Sequence, residues 1–217
     1  MRKTRLSSGL LARRTCVLVL AVAVGLATAA GPSAARAVPT VGAPAPAFSA
    51  TDSNGNDHAL ADYRGRVVVL EWTNHDCPYV GKHYGAGNMQ ALQKRATADG
   101  IVWLSVISSA PGTQGHVSGV EANRLTESRG AAPTAILLDP DGTVGRAYDA
   151  RTTPHMYVVD ADGTLVYMGG IDDRPTTRQA DIPGATNYVT TALSDLAADR
   201  DVQVPTSRPY GCSVKYK

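Results

Sequence analysis

Four aliphatic residues, Val67-Val68-Val69-Leu70, lead within seven positions to a cysteine set directly before a proline, Cys77-Pro78. A short, continuous β-branched run is what a strand buried on both faces of a sheet requires. Proline is favoured at the first helical position, where its missing N–H removes no helical hydrogen bond. The pair therefore predicts a central strand that feeds a helix, with Cys77 as N-cap. An N-cap faces unpaired backbone N–H groups and the positive end of the helix dipole. Both favour the thiolate, which is the nucleophilic form of cysteine. Asp76 opposes this by like charge, and a protonated His75 would assist.

The rest of the chain supplies partners for that strand. Phe48 to Leu60 brackets the turn cluster Asp52-Ser53-Asn54-Gly55-Asn56-Asp57 and predicts a hairpin. Beyond Pro78, the spacing of Met89, Leu92 and Ala96 is helical, and Gly100 ends the segment. Strands are predicted over residues 101–107, 135–138, 156–159 and 164–168. The last two are joined through Asp160-Ala161-Asp162-Gly163, a hairpin signal. Helices are predicted over 121–128 and 187–199. Strands alternating with helices, then a hairpin and a final helix, give an α/β fold: a mixed central sheet flanked by helices, with an N-terminal hairpin extension. At 43% hydrophobic and 18% charged, the 217 residues suffice for one domain with a core.

The first 37 residues read differently. Arg2, Lys3, Arg5, Arg13 and Arg14 precede an apolar run from Cys16 to Leu26, and small residues follow to Ala35-Arg36-Ala37. A basic start, a short apolar stretch and an A-x-A site describe a secretory signal peptide. The run is shorter than the roughly 20 residues a membrane span needs. An extracytoplasmic location is expected, secreted or in the cell envelope, with no membrane attachment after cleavage. Six of the 21 basic residues and none of the 19 acidic ones lie in this leader. What remains has 15 basic and 19 acidic residues, so the whole-chain charge of +2 becomes −4. No basic face is left for a nucleic-acid partner. Cys16 leaves with the leader, and Cys77 and Cys212 remain. The domain plan is thus a signal peptide over 1–37, one domain over 38–203, and a tail over 204–217 that carries Cys212.

The order of strand, aromatic residue, Cys77-Pro78 and helix resembles the thioredoxin superfamily. Gly42-Ala43-Pro44-Ala45-Pro46-Ala47-Phe48, with Leu60, Tyr63, Arg64 and Gly65, is similar to its redoxin branch (AhpC/TSA), which includes the peroxiredoxins. Thr152-Thr153-Pro154 before Met156-Tyr157-Val158-Val159-Asp160 resembles the loop that carries a cis-proline beside the active cysteine in that superfamily. The resemblance covers about residues 40 to 200. Val80 stands where thioredoxins have a second cysteine, and Asn74, not threonine, stands three residues before Cys77. Cys77 thus resembles the exposed, attacking cysteine of thioredoxins, and the chain resembles the peroxiredoxin-like group of exported redoxins with a single active cysteine.

The resemblance implies a thiol-disulfide oxidoreductase or antioxidant redoxin without a cofactor. Cys77 would be the nucleophile, and Pro154, Thr153 and Pro78 would shape the substrate groove. Trp72, which also reads as core, stands with them. Glu71 interrupts the apolar strand where thioredoxins hold a buried acid. Its pKa should be raised by burial, which suits proton transfer to a thiol, although a solvated strand edge would leave it inert. Protein thiols or disulfides, or small peroxides, would be the partners. Cys212 has three readings: a resolving cysteine, half of a structural bridge, or a free thiol. A bridge closing so long a loop would stabilise by about 5 kcal/mol in the chain-entropy model. Two alternatives remain open: a non-catalytic binding module with a fixed Cys77–Cys212 disulfide, and a copper carrier. His75, Cys77 and His83 are soft ligands for the latter, but they form an incomplete set. His155, next to Pro154, is a candidate for tuning the thiolate.

Overall fold

The computed structural model describes residues 38–217; the predicted signal peptide lies outside the described residues. In chain order the described elements are β1 (Ser49–Asp52), β2 (Asp57–Ala59), β3 (Val68–Trp72), α1 (Pro78–Gly85), α2 (Asn88–Ala98), β4 (Val102–Ile107), α3 (Gly119–Ser128) and β5 (Ala135–Leu138). They continue with α4 (Thr143–Ala147), β6 (Thr152–Thr153), β7 (His155–Val159), β8 (Leu165–Gly169), α5 (Tyr188–Ala197) and β9 (Cys212–Ser213).

Seven strands form one mixed sheet in the order β2-β1-β5-β4-β3-β7-β8. β3, β4 and β5 run parallel, and β7 joins β3 antiparallel, with Trp72 opposite His155. All five residues of β3 are buried. Val68, Leu70 and Trp72 face a cluster containing Leu104, Val106, Tyr148 and Tyr157. Val69 faces the other way, onto Met89, Trp103, Met156 and Val189. The aliphatic run is continuous because both of its faces are covered.

Two features depart from the sequence reading, and a third agrees with a Cys212 brought back to the domain by its tail. The helical segment after Pro78 is two helices, because Gly87 adopts a left-handed φ of 72° between α1 and α2. α4 follows the Asp139–Gly142 turn at once, with the Asp139 carboxylate accepting from the N–H groups of Val144 and Gly145 at 3.1 and 2.8 Å. The tail docks on the domain. Its β9 pairs antiparallel with β6 in a separate two-stranded sheet, placing Cys212 opposite Thr153. Further backbone bonds fix it on either side: Met168 N–H to the Pro205 carbonyl at 3.1 Å, and Val214 N–H to that of Arg151 at 3.0 Å. No helix among the described residues is long and apolar enough to cross a membrane.

Candidate active site

Cys77 is the N-cap of α1, with extended backbone (φ −79°, ψ 121°) and Pro78 at the first helical position. Its carbonyl accepts the Gly81 N–H at 2.8 Å and so opens the helix. Its Sγ donates to the Thr153 carbonyl at 3.0 Å. The Thr153–Pro154 peptide bond is cis. Thr153 also reaches the other cysteine: its hydroxyl donates to the Cys212 carbonyl at 3.5 Å. Both cysteines are free thiols, and Cys212 stands opposite Thr153, the residue whose carbonyl accepts the Cys77 thiol.

The two thiols are unequal. Burial opposes ionisation of Cys77, but hydrogen bonds from the Cys212 thiol, from Thr153 and from the Val80 and Cys212 backbone outweigh it. They hold the Cys77 pKa below the ordinary thiol value. Burial, together with the bond to Cys77 and the negative charge there, pushes Cys212 up to about 11. A low-pKa sulfur at a helix tip beside a protonated thiol is an acid–base pair suited to disulfide exchange. The exposure is the reverse of that expected for an attacking cysteine. Cys77 is 1% exposed, while Cys212 is partly exposed. The tail lies alongside, with β9 paired to β6 and Cys212 opposite the Thr153 that accepts the Cys77 thiol.

Pro78 and the Thr153–Pro154 loop meet at Cys77 as expected. Trp72 is fully buried; its indole N–H donates to Ser108 Oγ at 3.0 Å and its ring packs on Tyr148 and Tyr157. Glu71 is fully buried and accepts from Trp103 Nε1 (2.8 Å), Tyr84 Oη (2.9 Å), Gln93 Nε2 (3.0 Å) and Ser105 Oγ (3.1 Å). Burial raises its pKa against the pull of these four donors. All of them come from α1, α2 and β4, and none is Cys77. His155 is buried, and desolvation lowers its pKa to about 3. Its Nδ1 faces the Tyr157 hydroxyl at 3.0 Å.

A polar cluster unforeseen in the sequence lies beside the thiols. Lys82 on α1 is fully buried, with Nζ donating to Asp172 Oδ2 at 3.1 Å and to the Arg174 carbonyl at 2.7 Å. Tyr210, two residues before Cys212, donates its hydroxyl to Asp172 Oδ1. His83 Nε2 lies 3.2 Å from the same hydroxyl, and burial lowers its pKa to about 4. Nothing in local spacing marks these groups, since they meet across 127 residues. His75 pairs with Asp76 at 3.3 Å. Among the described residues no three His, Cys, Asp or Glu side chains are grouped to hold a metal.

The AhpC/TSA family pattern matches residues 41–168, more than half of the chain and a stretch that includes Glu71, Cys77, Thr153 and Pro154. This chain belongs to the AhpC/TSA family. Cys212 lies outside the matched AhpC/TSA stretch. A relative from Geobacillus kaustophilus, named thiol-disulfide oxidoreductase ResA, is 27% identical over 163 residues, covering 72% of this chain and 84% of its own. A relative from Mycobacterium tuberculosis, named for the peroxiredoxins, is 30% identical over 141 residues, covering 58% of this chain and 82% of its own. Among solved structures, an uncharacterized conserved protein from Geobacillus kaustophilus superposes with a TM-score of 0.71 at 27% identity. That match covers 82% of this AhpC/TSA chain and 93% of the other. The thioredoxin-like mixed sheet expected from the sequence is the fold observed.

Proposed function

We propose that this AhpC/TSA protein is an exported thiol-disulfide oxidoreductase whose working pair is Cys77 and Cys212. The observation that carries the reading is the placement of Cys77 at a helix N-terminus against the Thr153 carbonyl, with Cys212 paired directly opposite Thr153. The Cys77 thiolate attacks a substrate disulfide; one substrate sulfur leaves as a thiolate and takes a proton, and a mixed disulfide forms. Cys212 then gives up its proton and attacks the Cys77 sulfur. The second substrate thiol leaves, and the Cys77–Cys212 disulfide remains. An external dithiol returns the pair to the reduced state. Thr153 and Pro154 border the place where the substrate sulfur must enter, and the leader directs the protein outside the cytoplasm.

The burial of Cys77 favours a second substrate class, a small peroxide. Thiolate attack on the O–O bond gives a Cys77 sulfenic acid and releases water or an alcohol. Condensation with the Cys212 thiol then yields the same disulfide and a second water. Insulin-disulfide reduction and hydrogen peroxide consumption, assayed side by side, separate the two substrates. Cys77→Ser should abolish whichever activity is present, and unchanged turnover in that variant would remove Cys77 from the mechanism.

A further inference from the structure

Tyr79, Lys82 and His83 lie at i, i+3 and i+4 of α1 and therefore share one helix face. All three meet Tyr210 of the tail. The Tyr79 and Tyr210 rings pack edge to face at 5.8 Å, Lys82 Nζ stands 5.6 Å from the Tyr210 ring centroid, and His83 Nε2 faces its hydroxyl. Asp172 is the hub. It is 3% exposed and accepts from Lys82, from the Tyr210 hydroxyl and from the Arg174 N–H at 2.9 Å. The helix held by this hub is the one capped by Cys77, and the tail segment it holds carries Cys212 two residues on.

We propose that Asp172 and Tyr210, with Lys82 fixed beside them, are positioning residues that set the reach of Cys212 to Cys77. This rests on the dithiol reading above. An ion pair buried this completely is costly to desolvate unless every member is satisfied, and weak evidence for stability alone. Here its members tie two segments that the exchange reaction must bring together. Without the clamp, the reduced tail samples more positions, and forming the disulfide must order it again. The clamp therefore acts as preorganisation, raising the effective concentration of one thiol at the other.

The test uses the secreted protein and its Tyr210→Phe variant. That change keeps the ring against Tyr79 and Lys82 and deletes only the hydroxyl. The readout is the equilibrium constant of the Cys77–Cys212 disulfide against glutathione, with circular dichroism to verify the fold. A hydrogen bond to a carboxylate is worth about a tenfold to hundredfold change. The effective concentration of Cys212 should fall by at least tenfold in a folded variant. Lys82→Met combined with Asp172→Asn, which avoids leaving an unpaired buried charge, should fall at least as far. An unchanged constant in folded Tyr210→Phe would overturn the positioning role while leaving the dithiol intact. A parent protein that forms no Cys77–Cys212 disulfide would overturn the dithiol reading itself.

Discussion

Gly211 lies over the carbonyl of Thr153 so closely that a Cβ there would stand 2.0 Å from the oxygen. Its φ of 132° is also one that residues with a side chain rarely adopt. The same oxygen accepts the Cys77 thiol at 3.0 Å. One backbone carbonyl is thus packed by the tail and bonded to the Cys77 sulfur. The tail therefore passes directly over the carbonyl that holds this sulfur, and Cys77 is buried there.

Gly211→Ala should therefore lift β9 from β6 and uncover Cys77. Modification of Cys77 by a bulky maleimide, followed by mass mapping, should accelerate at least tenfold. The comparison belongs at alkaline pH, where the thiol is ionised in either protein. The melting temperature should move little, because the main sheet does not include β9. An unaltered rate would mean that something other than the tail covers the sulfur.

Cys212→Ala deletes the largest of the hydrogen bonds that hold the Cys77 pKa down. The pH–rate profile of Cys77 alkylation should shift upward on the order of one pH unit. That follows from about 1.5–3 kcal/mol for a hydrogen bond to a charged group and about 1.4 kcal/mol per unit. A profile that stays in place would show that the helix tip and Thr153 suffice.

Glu71 and Cys77 should behave independently. Glu71→Gln replaces an acceptor oxygen with an NH2 group among four donors. A loss of roughly 2–4 kcal/mol in denaturant unfolding is expected from the stranded buried groups. The Cys77 alkylation profile should not change. A displaced profile would place Glu71 on the proton route of the thiol.

His155 makes stability fall in acid. Burial lowers its folded-state pKa from 6.5 to about 3, so below pH 6.5 the unfolded chain binds the extra proton and the native state does not. The stabilisation is complete above pH 6.5 and is lost as pH falls toward about 3. Between pH 7 and pH 4 this amounts to roughly 3 kcal/mol. In urea titrations across that range, His155→Gln should show a flatter dependence than the parent. Equal slopes would mean that other groups govern the acid limb.

What the sequence disclosed and what it hid follow from the range of the interactions. β3 and the N-cap at Cys77 were legible because a β-branched run and an X-Pro step act within a few residues. The break at Gly87 was hidden, since Met89, Leu92 and Ala96 keep helical spacing within α2 and say nothing of α1. α4 is too short to show a period. The β6–β9 pairing has only two residues in each strand, 59 positions apart, so no pattern could announce it. The Lys82–Asp172–Tyr210 cluster depends on that same docking, because Tyr210 belongs to the tail. For this reason the cysteine at the helix N-cap could be named from sequence while its environment could not.

The reactivity of the pair is tested most directly by redox titration of the protein against glutathione, with mass mapping of residues 77 and 212 at each step. A single Cys77–Cys212 disulfide should form and be reduced reversibly at a potential above about −300 mV, the range of labile rather than structural bridges. Two thiols that never pair, or a bridge that resists reduction below that value, would contradict the account.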